Sequence, residues 1–188
     1  MGFLLSISRA IDAISLATGR LMRWLILASV LISAGNAAMR KAFDIGSNAY
    51  LEVQWYLFSA CFLLAAGYVF LKNAHVRIDF LSNKLSMRTN ALIDIVGIVA
   101  IIVPLALLLM HLSWPVFHNA WVSGEMSQNA GGLVRWPVLL MIPAGFLLLL
   151  LQALSELIKR FAFLGGHLEQ PFSREQPEPL VPELEGKA

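Results

Sequence analysis

The chain has 188 residues, 58% of them hydrophobic and only 14% charged, with a mean hydropathy of +0.71. Soluble domains carry about 25% charged residues, so this composition excludes an ordinary water-soluble globule and makes a lipid bilayer the solvent for much of the chain. A net charge of +2 gives no ground for a nucleic-acid partner, and the single cysteine, Cys61, excludes an intrachain disulfide and a multi-thiolate metal site.

Residues 1–20 place Leu4, Ile7, Ile11 and Ile14 near helical spacing, with Leu21 just beyond, while Ser6, Arg9 and Asp12 share the rest of the circumference. That pattern predicts an amphipathic helix lying at the membrane surface. Its apolar run is too interrupted for a secretory signal. A first span is predicted over 21–39, bounded by Arg20 and Arg23 on one side and by Arg40, Lys41 and Asp44 on the other. Ser29, Ser33 and Asn36 fall at i, i+4 and i+7 on one face, the usual mark of helix–helix packing in lipid.

The second span is predicted over 53–71, which is free of charge for 19 residues. A helix of that length covers about 28 Å, the thickness of the hydrocarbon core. Glu52, Trp55 and Tyr56 stand at its start, and Lys72, His75, Arg77 and Asp79 follow its end. Residues 72–90 form a polar connection with a short surface helix around Phe80, Leu81 and Leu85, and Ser86 is placed to cap the next helix. The third span, 91–114, contains Pro104, where a kink is expected. Asp94 lies in its first turns and reads as an anion favoured by the helix dipole, with no second intramembrane carboxylate expected beside it. A connection over 115–135 carries Trp121, Glu125 and Gly131-Gly132, and Trp114, Trp121 and Trp136 read as interfacial anchors. The fourth span, 136–157, has Pro137 in its first turn and Pro143 further in, and Lys159 and Arg160 follow it. Residues 161–188 are Pro- and Glu-rich and are expected to form a disordered cytoplasmic tail.

The expected architecture is thus an all-α membrane protein. An interfacial helix over 1–20 precedes a four-helix transmembrane domain over 21–160 and a tail over 161–188. With both ends inside, the inner segments hold 11 bases (Arg9, Arg20, Arg23, Lys72, Arg77, Lys84, Arg88, Lys159, Arg160, Arg174 and Lys187), and the outer loops hold 3 (Arg40, Lys41 and Arg135). The positive-inside bias therefore predicts cytoplasmic termini.

No phosphate loop, dinucleotide fingerprint or zinc signature is present, and no nucleophile has a flanking motif. His75 is expected at one membrane face, His111 and His118 at the other, and His167 in the tail, which disfavours a bis-histidine haem. The reading is of a non-enzymatic scaffold or partner subunit without a cofactor. The membrane anchor of a redox enzyme is the alternative. The most informative run is His75-Val76-Arg77-Ile78-Asp79. Alternation sets His75, Arg77 and Asp79 on one side, which reads either as a structural cluster in which Arg77 and Asp79 pair and cap neighbouring helix ends or as an ordinary basic membrane boundary.

That HVRID run, with Arg40 followed by Phe43, Ser47 and Glu52 and with Pro143-x-Gly145 in the last span, resembles the small membrane subunit of tripartite ATP-independent periplasmic (TRAP) transporters, the DctQ-like or Q component. The resemblance covers about residues 16–160. Where that family usually has an aromatic residue after the arginine, this chain has Lys41. The resemblance implies an inner-membrane scaffold partnered by a large multi-span M subunit and a periplasmic binding protein, in ion-driven uptake of an organic acid. Substrate and ion sites would then lie in the large subunit. Arg40, Lys41, Asp44, Glu52 and Glu125 are the candidate partner contacts on the outward surface.

Overall fold

A computed structural model describes residues 1–44, 46–72 and 85–168. The surface helix expected between the second and third spans, the HVRID run with His75, Arg77 and Asp79, and the tail from residue 169 onward lie outside the described residues. The protein is an all-α membrane protein with four helices long and apolar enough to cross a bilayer.

Helix α1 runs unbroken from Gly2 to Phe43. At 1.5 Å per residue it is about 63 Å long, twice the hydrocarbon thickness. The division expected between residues 20 and 21 is therefore absent: the amphipathic segment and the first span are one helix. No proline stands near that point, and the single glycine, Gly19, is followed by the good helix formers Arg20, Leu21 and Met22. Gly19 instead opens space for Tyr68, whose ring occupies the volume a Cβ would need. α1 ends at Asp44, which adopts the left-handed conformation (φ 54°).

The second span comprises α2 (Asn48–Leu64) and α3 (Ala66–Leu71), joined through Ala65 with helical dihedrals. It starts five residues earlier than the uncharged run, so Glu52 lies within the helix rather than before it.

The third span is a continuous rod of α4 (Met87–Gly97), a π-helical turn (Ile98–Ile102) and α5 (Val103–Ser123). Ser86 caps it as expected: its Oγ accepts from the Thr89 N–H at 3.2 Å. The π turn immediately precedes Pro104. Proline has no N–H for the carbonyl four residues back, and widening the ladder absorbs that loss. Val103 accordingly donates to Ile98, five residues back. The rod also runs past the expected end at Trp114, through Pro115, to the left-handed Gly124 (φ 63°). The following connection is therefore shorter than the one predicted over 115–135. The fourth span, α6 (Trp136–Leu164), likewise extends beyond 157.

α6 packs against every other helix among the described residues. It approaches α2 closely at Gly145, where an added Cβ would lie 2.5 Å from the Leu63 carbonyl oxygen. Phe70, Ile98 and Ala153 form the buried apolar core, joined by Ile102, Val103, Leu149 and Leu157. Large apolar side chains elsewhere point outward, as lipid permits: Leu31, Trp55, Phe58 and Phe62 are all exposed. The α1–α2 turn and the α5–α6 loop share one end of the bundle, called here the loop end. The first turns of α1 and α4 and the last turns of α6 share the other, the basic end.

Candidate functional site

Two polar centres stand at opposite ends of α6. At the basic end, α1 turns a polar face inward. Ser8 and Ser15 are buried there beside Asp12, while Leu4 and Ile14 face outward. The partners come from α6, which buries Gln152, Ser155, Glu156 and Arg160. Residues 8, 12 and 15 make one helical stripe, and 152, 155, 156 and 159 make another, so the two stripes meet along their length.

The Asp12 carboxylate accepts from Ser155 Oγ at 2.7 Å and from Gln152 Nε2 at 2.9 Å, and it pairs with Lys159 Nζ at 3.2 Å. Ser8 and Ser155 hydroxyls lie 2.7 Å apart, and Ser15 Oγ donates to Gln152 Oε1 at 2.7 Å. Glu156 pairs with both Lys159 and Arg160. Arg160, 1% exposed, donates through Nε and a terminal nitrogen to Asp94 on α4, at 3.1 and 3.0 Å. The network thus ties α1, α4 and α6 together, and no described buried side-chain nitrogen or oxygen lacks a partner. That is the condition under which ions are tolerated in an apolar interior.

This arrangement corrects the reading of Asp94. A second carboxylate, Glu156, shares its arginine, so Asp94 is part of an ion cluster rather than only an anion favoured by the helix dipole. Gln152 and Glu156 were missed because they sit inside an otherwise apolar span. The signal that would have found them is the match of two polar stripes, one on each helix.

At the loop end, Glu52 is 9% exposed and receives three donors from the α5–α6 connection. Ser127 Oγ and Asn129 Nδ2 (2.8 Å) donate to one carboxylate oxygen, and the Leu133 N–H donates to the other at 2.7 Å. The connection is closed by the Met126–Val134 bridge, with Ser127 N–H donating to Leu133 O at 2.9 Å and Arg135 N–H to Glu125 O at 2.9 Å. Gly131 holds φ 71°, and a Cβ on Gly132 would lie 2.6 Å from that of Ser127, so both positions require glycine. Tyr56 OH donates to Val134 O at 2.8 Å and Asn48 Nδ2 to Ala130 O at 3.1 Å, adding two further ties from α2. Trp114, Phe117 and Trp121 pack as tilted pairs along one face of α5, and Trp121 meets Trp136 edge to face at 4.5 Å.

The other candidate contacts lie around this cap. Arg40 and Lys41 are exposed in the last turn of α1, with Asp44 exposed beside them. Glu125 is exposed and paired with Arg135. Glu52 alone is turned inward. Ser29 and Ser33 line an apolar groove of about 1030 Å³ between α1, α2 and α6, opposite Cys61 and Gly145. His111 and His118 are exposed on α5.

The fold and these centres define a multi-pass membrane protein whose described buried polar side chains are bonded to partners within the bundle. The family model described as tripartite ATP-independent periplasmic transporters, DctQ component, matches residues 29–163. The chain belongs to that family and is a TRAP transporter component. No curated protein and no solved structure gave a significant match.

Proposed function

We propose that this chain is the fixed small subunit of a TRAP transporter. In this reading it packs against a large M subunit that moves an organic acid with an ion gradient, and it helps present the surface on which a periplasmic binding protein docks. It sits in the bacterial inner membrane with both termini in the cytoplasm, and it is neither an enzyme nor a cofactor carrier. His75, Arg77 and Asp79 act structurally at the inner boundary. Arg40, Lys41, Asp44 and Glu125 belong to the docking side.

The family match over residues 29–163 carries this reading. The internal ion network supports it physically. A static frame needs helices locked in depth and tilt, and cross-helix ion pairs among α1, α4 and α6 resist sliding. The test is reconstitution with a TRAP large subunit and binding protein from the same organism. Uptake that requires this chain, with no uptake by this chain alone, is the expected result. Accumulation of solute by the isolated chain in vesicles would overturn the proposal, as would failure to co-purify with the large subunit.

A further inference from the structure

We propose that Glu52 is a positioning residue for the outer face: its carboxylate holds residues 124–135 as a rigid cap over α2, and that cap, rather than Glu52 itself, meets the soluble partner. The second half of this statement rests on the docking role proposed above. The first half stands on geometry alone.

Glu52 is the only side chain among the described residues that gathers donors from three separate points of one connection, at Ser127, Asn129 and Leu133. It is turned away from solvent, so an incoming protein cannot reach it without displacing the loop. Around it, the cap presents exposed Glu125, Met126 and Arg135, beside exposed Trp121 and Val122 in the last turn of α5. A flexible connection of this length would have to be ordered when a partner binds, at a cost in affinity. A connection already fixed by a carboxylate avoids that cost. An anion serves here where a neutral side chain does not. Both carboxylate oxygens accept, whereas glutamine turns an NH2 donor toward either the Leu133 N–H or the Ser127 and Asn129 donors.

The experiment compares wild type with Glu52→Gln in the full complex. Hydrogen–deuterium exchange across 127–135 is expected to accelerate at least about five-fold, the equivalent of one lost hydrogen bond, with protection in α6 unchanged. In vesicles, the binding-protein concentration for half-maximal uptake is expected to rise by a similar factor, about five-fold, while uptake at saturating binding protein is retained. A purely structural defect would instead lower the maximum. If Glu52→Gln reduces yield, Asn129→Ala removes one donor from the loop side only and is expected to move both readouts in the same direction. Unchanged exchange in both variants overturns the proposal. Faster exchange with unchanged half-saturation overturns its docking half. Uptake by the wild-type complex that ignores the binding protein overturns the docking role itself, and the exchange result still decides whether Glu52 holds the cap.

Discussion

Deleting residues 2–20 tests whether the first half of α1 is an independent surface helix or part of the bundle. Five side-chain pairs cross from this segment to α6: Ser8–Ser155, Ser15–Gln152, Asp12–Gln152, Asp12–Ser155 and Asp12–Lys159. Interhelical hydrogen bonds in membrane proteins average about 0.6 kcal/mol each, so the set contributes roughly 3 kcal/mol before apolar contacts are counted. Point variants should cost less, because most donors have a second acceptor. When Asp12 becomes alanine, Lys159 and Gln152 keep Glu156, and Ser155 keeps Ser8. Asp12→Ala is therefore expected to cost about 1–2 kcal/mol, and Ser15→Ala about 0.6 kcal/mol. Arg9→Ala, on the exposed face, should stay within about 0.5 kcal/mol. The assay is equilibrium unfolding in mixed detergent micelles, followed by far-ultraviolet circular dichroism. As a geometric check, Ser8→Cys with Ser155→Cys should form a disulfide in a Cys61→Ala background. A deletion variant as stable as the full chain, with no cross-link between positions 8 and 155, would refute the reasoning.

Three further outcomes follow from the packing and from the candidate contacts. Gly145→Val pushes a side chain against the Leu63 carbonyl and should cost about 1–3 kcal/mol of stability in the same assay, the range for overpacking; Gly19→Ala should cost less, since the Tyr68 ring can swing aside where backbone cannot. Arg160→Met leaves Glu156, 2% exposed, with Lys159 as its one remaining cation, and should destabilise by about 3 kcal/mol, read as loss of folded protein on gel filtration. Charge reversal at Arg40 or Lys41, both exposed at the end of α1, should weaken uptake in vesicles without separating the membrane subunits on co-purification; unchanged uptake would remove them from the docking surface.

Four spans were legible in the sequence because apolar length is a strong and local signal, and Ser86 was legible as a cap because its partner is three residues away. What the sequence obscured were the ends of the spans and the partners across them. Pro104 was expected to bend its helix and Pro115 to lie beyond its end; the helix runs on from Met87 to Ser123 through both, with a π-helical turn just before Pro104. In lipid an interrupted helix has no water to satisfy its carbonyls, so local widening of the ladder is favoured over termination. Of the candidate contacts, Arg40, Lys41, Asp44 and Glu125 lie exposed around the loop-end cap, while Glu52 serves the loop and not the surface.

The polar side of residues 1–20, read from Ser6, Arg9 and Asp12, also includes Ser8 and Ser15, and the structure turns Ser8, Asp12 and Ser15 toward α6. On a water-soluble surface such a stripe faces out, and the rule that placed residues 1–20 at the interface assumes that water is the better solvent for it. In a bilayer the preference reverses whenever a second polar stripe is within reach, because lipid cannot satisfy either one. Gln152, Ser155, Glu156 and Lys159 supply that second stripe from α6. The residues that complete the network from α1 lie before residue 29, where the family match begins, so the matched region and the segment ahead of it are joined by ion pairs and hydrogen bonds rather than by sequence likeness. A frame assembled this way has its tightest lock at the basic end, in the Asp12–Lys159–Glu156–Arg160–Asp94 chain, and an apolar groove toward the loop end, where Ser29 and Ser33 face Cys61 and Gly145.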